Sequence, residues 1–125
     1  MERIEEFSRG GENFMSIDFS GFRHVEEFAA LIESAKPVIS KYAPGTLNTI
    51  TNIENVRFDT AVKDVIVDYL NHNKPYVKIA TVTGMDGVKK MMANALIKLS
   101  GRKNIFFAFT REQAIEMALQ NNTAD

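Results

Sequence analysis

The apolar residues of this chain change spacing repeatedly, from every second residue to every third or fourth and back, and this switching restricts the fold most tightly. Residues 3–9 and 13–19 flank Gly10-Gly11 and read as a β-hairpin. In the second segment Met15, Ile17 and Phe19 alternate with Ser16 and Asp18, the spacing of a half-buried strand. Val25, Phe28, Ala29, Ile32 and Ala35 then follow helical spacing, extended by Val38, Ile39 and Tyr42. Pro37 lies inside that run and, lacking an amide proton, predicts a kink or a second helix start. Leu47–Ile53 reads as a strand, unusually polar because of Asn48, Thr49, Thr51 and Asn52. Asp59 is placed to cap a helix bearing Val62, Val65, Ile66, Tyr69 and Leu70, which Asn71–Pro75 ends.

The pattern then repeats. Tyr76–Thr83 is the clearest strand, and a turn, Gly84-Met85-Asp86-Gly87, follows it. Val88, Met91, Met92, Ala95, Leu96 and Leu99 predict the inward stripe of a helix that Ser100-Gly101 stops. Ile105–Phe109 is a continuous apolar run, expected to be a strand covered on both faces. Thr110 and Gln113 have the spacing of a capping box, after which Ile115, Ala118 and Leu119 face the core. Strands alternating with helices predict an α/β fold. Its sheet is mostly parallel with an antiparallel N-terminal edge strand, and about four helices flank it. One domain over residues 1–125, with its core at about 3–119, fits a chain of 125 residues.

Composition narrows the function classes. With no Cys, the chain has no thiolate metal site, disulfide or thiol nucleophile. Its net charge of −1, from 15 basic and 16 acidic residues, argues against a general nucleic-acid binder. The longest apolar runs are Phe28–Ile32 and Ile105–Phe109, far short of the ~20 residues of a membrane span. The polar start Met1–Glu6 has no apolar h-region, which leads us to expect a cytoplasmic protein.

Crossover handedness gathers the strand-to-helix turns along one rim of the sheet, where α/β proteins usually bind ligands. Asp18, Asp59 and Asp86 fall there, each also in a place where Asp commonly caps a helix or turn. The Gly84-Met85-Asp86-Gly87 turn, with Lys89 and Lys90 following, is a candidate anion cradle, although it lacks the spacing of a P-loop or of GxGxxG. Met85 is the methionine of that region most suited to an exposed contact, whereas Met91 and Met92 read as core. Lys89, Lys90, Lys98, Arg102 and Lys103 read as a solvated basic face. His24 and His72 lack the spacing of a ligand pair, and Ser20 lacks a nucleophile elbow. We expect no cofactor and no metal.

From about Arg3 to Leu119 the chain resembles a STAS-type domain, and within that family the stand-alone bacterial branch related to the sporulation anti-sigma factor antagonist. The resemblance rests on Ile17-Asp18-Phe19-Ser20-Gly21-Phe22, Val56-Arg57-Phe58-Asp59, His72-Asn73-Lys74-Pro75-Tyr76-Val77-Lys78, Thr83–Lys90, Ser100-Gly101-Arg102 with Ile105-Phe106-Phe107, and Thr110-Arg111-Glu112-Gln113-Ala114. It implies a non-enzymatic regulatory domain that binds a kinase or anti-sigma-like protein partner and is switched by phosphorylation at the start of the second helix. The family's motif there is Asp-Ser/Thr-Ser-Gly, whereas this chain has Asp59-Thr60-Ala61-Val62. Thr60 is therefore the residue carried over as phosphoswitch candidate, with Asn55, Phe58 and Asp59 as its partner-binding surroundings. The family fold is shared with lipid-carrying domains, which makes a small-molecule or lipid carrier the alternative reading. An enzyme using Asp18, Asp59 or Asp86 is the third. The edge strand at 3–9 and the stripe on 88–99 are compatible with a homodimer.

Overall fold

The computed structural model describes residues 2–123, except the side chains of Val88, Lys89, Met92, Leu96, Leu99, Ser100, Asn122 and Thr123. Five strands form one sheet in sequence order: β1 (Ile4–Arg9), β2 (Glu12–Asp18), β3 (Leu47–Asn52), β4 (Val77–Thr83) and β5 (Ile105–Phe107). β1 runs antiparallel to β2, with Phe7 opposite Phe14, and the later pairs are parallel. The mostly parallel sheet with an antiparallel N-terminal edge is thus present. The helices are α1 (Val25–Ser40), α2 (Thr60–Asn73), α3 (Gly87–Ser100) and α4 (Arg111–Thr123). No helix among the described residues is long and apolar enough to cross a membrane.

Side-chain alternation along the strands divides the core in two. Met15, Ile17 and Leu47 point to the face covered by α1 and α2, where they meet Phe28, Ile32, Ile39, Val62 and Tyr69. Phe14, Ile50 and Ile79 point the other way, onto Ala114, Ile115 and Ala118 of α4. A right-handed crossover between neighbouring parallel strands taken in one direction puts each connecting helix on the same face. Only α4, which connects to no later strand, lies on the opposite face.

One expectation is narrowed and two change. Of the kink or second helix start expected at Pro37, the second is excluded, because α1 runs unbroken from Val25 to Ser40. β5 ends at Phe107 and pairs only with β4; it is an edge strand whose residues are half-buried, not a strand covered on both faces. An apolar run does not state whether a further strand will lie beside it. On α3, Met91 is 69% exposed and Ala95 is exposed, whereas Ala93 and Ile97, one turn apart, face inward. Met91 and Ala95 are spaced i, i+4 and i+7 with Lys98 and border the exposed stripe of Lys90, Asn94 and Lys98, so the solvated side of the helix extends to them. The expected contributions of Val88, Met92, Leu96 and Leu99 lie outside the described residues.

Candidate functional site

The carboxyl ends of β2, β3, β4 and β5 and the turns that follow them build one rim. Their backbones bond the turns together: the Phe19 amide donates to the Asn52 carbonyl, Gly21 to Glu54, Arg57 to Phe22 and Ile53 to Thr83, at 2.8–3.0 Å. Asp18 lies at the end of β2, where its carboxylate accepts from the Ser20 amide at 2.8 Å. The Arg3 guanidinium bonds the carbonyls of Asp18 and Ser20 and stacks 4.4 Å from the centre of the Phe22 ring. Asn52 turns its carboxamide oxygen to the Glu54 amide, and Asn55 adopts a left-handed backbone with φ of 57°. Gly84 fits against this turn, as a Cβ there would lie 2.5 Å from the Glu54 nitrogen.

Asp59 caps α2 as expected, its carboxylate accepting from the Val62 amide at 2.9 Å. Thr60 is the first residue of that helix and is exposed, as are Asn55 and Asp59, while Phe58 is half-buried against the core. Asp86 stands immediately ahead of α3, and its carbonyl accepts from the Lys90 amide. Met85 is half-buried and Gly87 begins the helix. The rim therefore brings Asp18 near the Gly84 turn, but Asp18 and Asp59 bond backbone amides of their own turns. Among the described residues, no three His, Cys, Asp or Glu side chains come together as a metal site. His24 stands ahead of α1 while His72 lies in the last turn of α2, its Nδ1 2.9 Å from the Asn73 carboxamide oxygen.

Two residues take roles that the sequence did not suggest. Phe109, expected within a covered strand, is 90% exposed. It forms a wall shared by two shallow depressions, one reaching Asp18, Asn52 and Thr110, the other Met85, Asp86 and Lys90. Thr110 caps α4 by accepting from the Gln113 amide at 3.1 Å, and the Gln113 side chain reaches back to the amide of Phe109 rather than that of Thr110. An apolar residue just before a cap often packs against the fourth helical residue. Here that residue is Ala114, small and fully buried, so the Phe109 ring finds no staple partner and projects outward. A large side chain ahead of the cap with alanine at the fourth position was the available signal. Beside it, Arg111 pairs with Glu5 at 2.9 Å and lies over the Phe7 ring. That pairing lowers the pKa of Glu5 and raises that of Arg111.

The second surprise is Arg102, expected on a solvated basic face but 5% exposed. Its Nε donates to the Asn104 carboxamide and its Nη1 to the Leu70 carbonyl, and burial lowers its pKa. Lys90, Lys98 and Lys103 are exposed, and the Lys89 side chain lies outside the described residues.

No protein-family model matches this sequence. No curated protein matches it either. Among solved structures, the fold is similar to an anti-sigma-factor antagonist (STAS) domain protein from Planctomyces limnophilus. The TM-score is 0.59 at 12% identity, over 92% of this chain and 97% of that one. The α/β architecture is therefore that of a STAS domain.

Proposed function

We propose that this STAS-fold chain is a non-enzymatic regulatory domain that docks a protein partner on the carboxyl-end rim of its sheet. The observation that carries the reading is Phe109, a phenylalanine 90% exposed between two depressions of that rim. Aromatic anchors beside shallow pockets supply much of the binding energy at protein interfaces. The rim continues through Gly84–Gly87 and Asn55–Ala61, where Thr60 is exposed at the start of α2. A phosphate on Thr60 would add about two negative charges at a helix N-terminus, where they are accommodated, and on a docking surface, where they would repel an acidic partner. Likeness to an anti-sigma-factor antagonist supports a kinase or anti-sigma-like protein as the partner class.

The test compares immobilised wild-type, Phe109→Ser and Thr60→Glu chains, each verified as folded by circular dichroism. Proteins captured from the native host are quantified by mass spectrometry. We expect a kinase-type partner that is reduced about tenfold or more by each substitution. Equal capture by all three chains would overturn the assignment of the surface.

A further inference from the structure

Between the sheet and helices α2 and α3 lies a cavity of about 90 Å³, which meets the rim depression beside Met85 only at Phe107. Phe28, Ile66, Val82, Ile97 and Phe107 contribute to its largely apolar wall. The sheet residues beneath it are incompletely covered. Ala80, Val82, Ile105 and Phe107 are half-buried, although Ile79, Thr81 and Thr83 on the opposite face of β4 are buried. Among the described side chains, those of α2 and α3 leave a reachable space over this part of the sheet.

Tyr69 lines this cavity and is 4% exposed, and its hydroxyl makes no hydrogen bond of full geometry. The Asn73 carboxamide, one turn on, approaches it as a donor and draws the tyrosine pKa back part of the way from the rise that burial causes, which leaves the hydroxyl proton without an acceptor. A buried donor without an acceptor is costly, and few native groups are left so. Arg102 adds a positive charge to the same wall and holds the carbonyl of Leu70, the residue next to Tyr69. The site thus offers an apolar chamber whose lining includes a hydroxyl donor and a cation.

We propose that this cavity binds a short-chain aliphatic carboxylate, its head accepting from the Tyr69 hydroxyl close to Arg102 and its chain lying against Ile66, Val82 and Ile97. Volume selects the size. The space exceeds the ~30 Å³ of a single water and is well below the ~300 Å³ where drug-sized pockets begin. It holds a few carbons and not a full lipid chain. The inference does not rest on the docking role proposed for the rim, because the residues that hold the ligand, Tyr69, Arg102, Ile66, Val82 and Ile97, take no part in that role.

Titration of the full chain with sodium butyrate, followed by methyl NMR, tests it. Butyrate should shift the methyl signals of Ile66, Val82 and Ile97 and bind about tenfold tighter than 1-butanol. Tyr69→Phe should weaken butyrate about tenfold, the usual effect of losing a hydrogen bond to a charged group, without lowering the thermal midpoint of the unliganded protein. Ala93→Leu, which fills the chamber from α3, should abolish the shifts and provides a second variant should Tyr69→Phe misfold. Absent methyl shifts at millimolar butyrate, equal affinity for butanol, or undiminished binding by both variants would overturn the proposal. Tighter binding of oleate than of butyrate would overturn the size assignment.

Discussion

Gly84 is the tightest fit on the rim. Its φ is +81°, and an added Cβ would lie 2.5 Å from the Glu54 nitrogen and 2.8 Å from the Asn52 carboxamide oxygen. Gly45 has a similar φ of +69° but nothing within 4 Å of the same position. The pair separates two costs. Gly45→Ala bears only the left-handed backbone penalty of about 1–2 kcal/mol. Gly84→Ala adds an overpacking cost of about 1–3 kcal/mol and displaces the turn that leads to Asn55. Urea denaturation should rank Gly84→Ala clearly below Gly45→Ala, and equal midpoints would show that the Glu54 backbone yields without cost. The turn itself was legible from Gly84 and Gly87. Which backbone would press on it was not, because Asn52 and Glu54 are some thirty residues away in sequence.

At the scale of elements, α2 was the helix most completely read. Asp59 sits at its N-cap with the expected bond to the Val62 amide, and Val62 and Tyr69 are buried on its inner side. Asp59→Ala should cost about 1 kcal/mol, the ordinary worth of an N-cap, measured as a shift in the urea midpoint. Asp59→Asn, which preserves an acceptor, should recover most of that loss; a loss as large as that of the alanine variant would mean that charge at the helix end and not the hydrogen bond is responsible. Helix α3 was legible as a helix, but two residues assigned to its inward stripe, Met91 and Ala95, face out, and Ala93 and Ile97 face the cavity instead.

At the scale of the molecule, two of the three tyrosines tie stability to alkaline pH. Burial, with a 2.6 Å hydrogen bond to Glu6, pushes Tyr42 up to about 12. Burial holds Tyr69 above the ordinary range as well. Below the unfolded pKa of about 10, both states keep these protons and stability is unaffected. Above it the unfolded chain ionises first, so stability falls as pH rises toward the folded values. Urea midpoints should therefore decline between about pH 10 and 11, less steeply in Tyr42→Phe and Tyr69→Phe; unchanged slopes in both variants would remove the tyrosines as the cause. The sequence by itself determined the order of elements, the caps at Asp59 and Thr110, the mostly parallel sheet and the gathering of turns on one rim. These follow from local periodicity, capping chemistry and crossover handedness, all of which act over a few residues or through chain chirality. Only the tertiary structure decided that β5 is an edge, that Phe109 projects, that Arg102 is buried and that Tyr69 is left facing a chamber. Burial depends on neighbours brought from far along the chain, and an apolar or charged residue does not encode which neighbours will arrive.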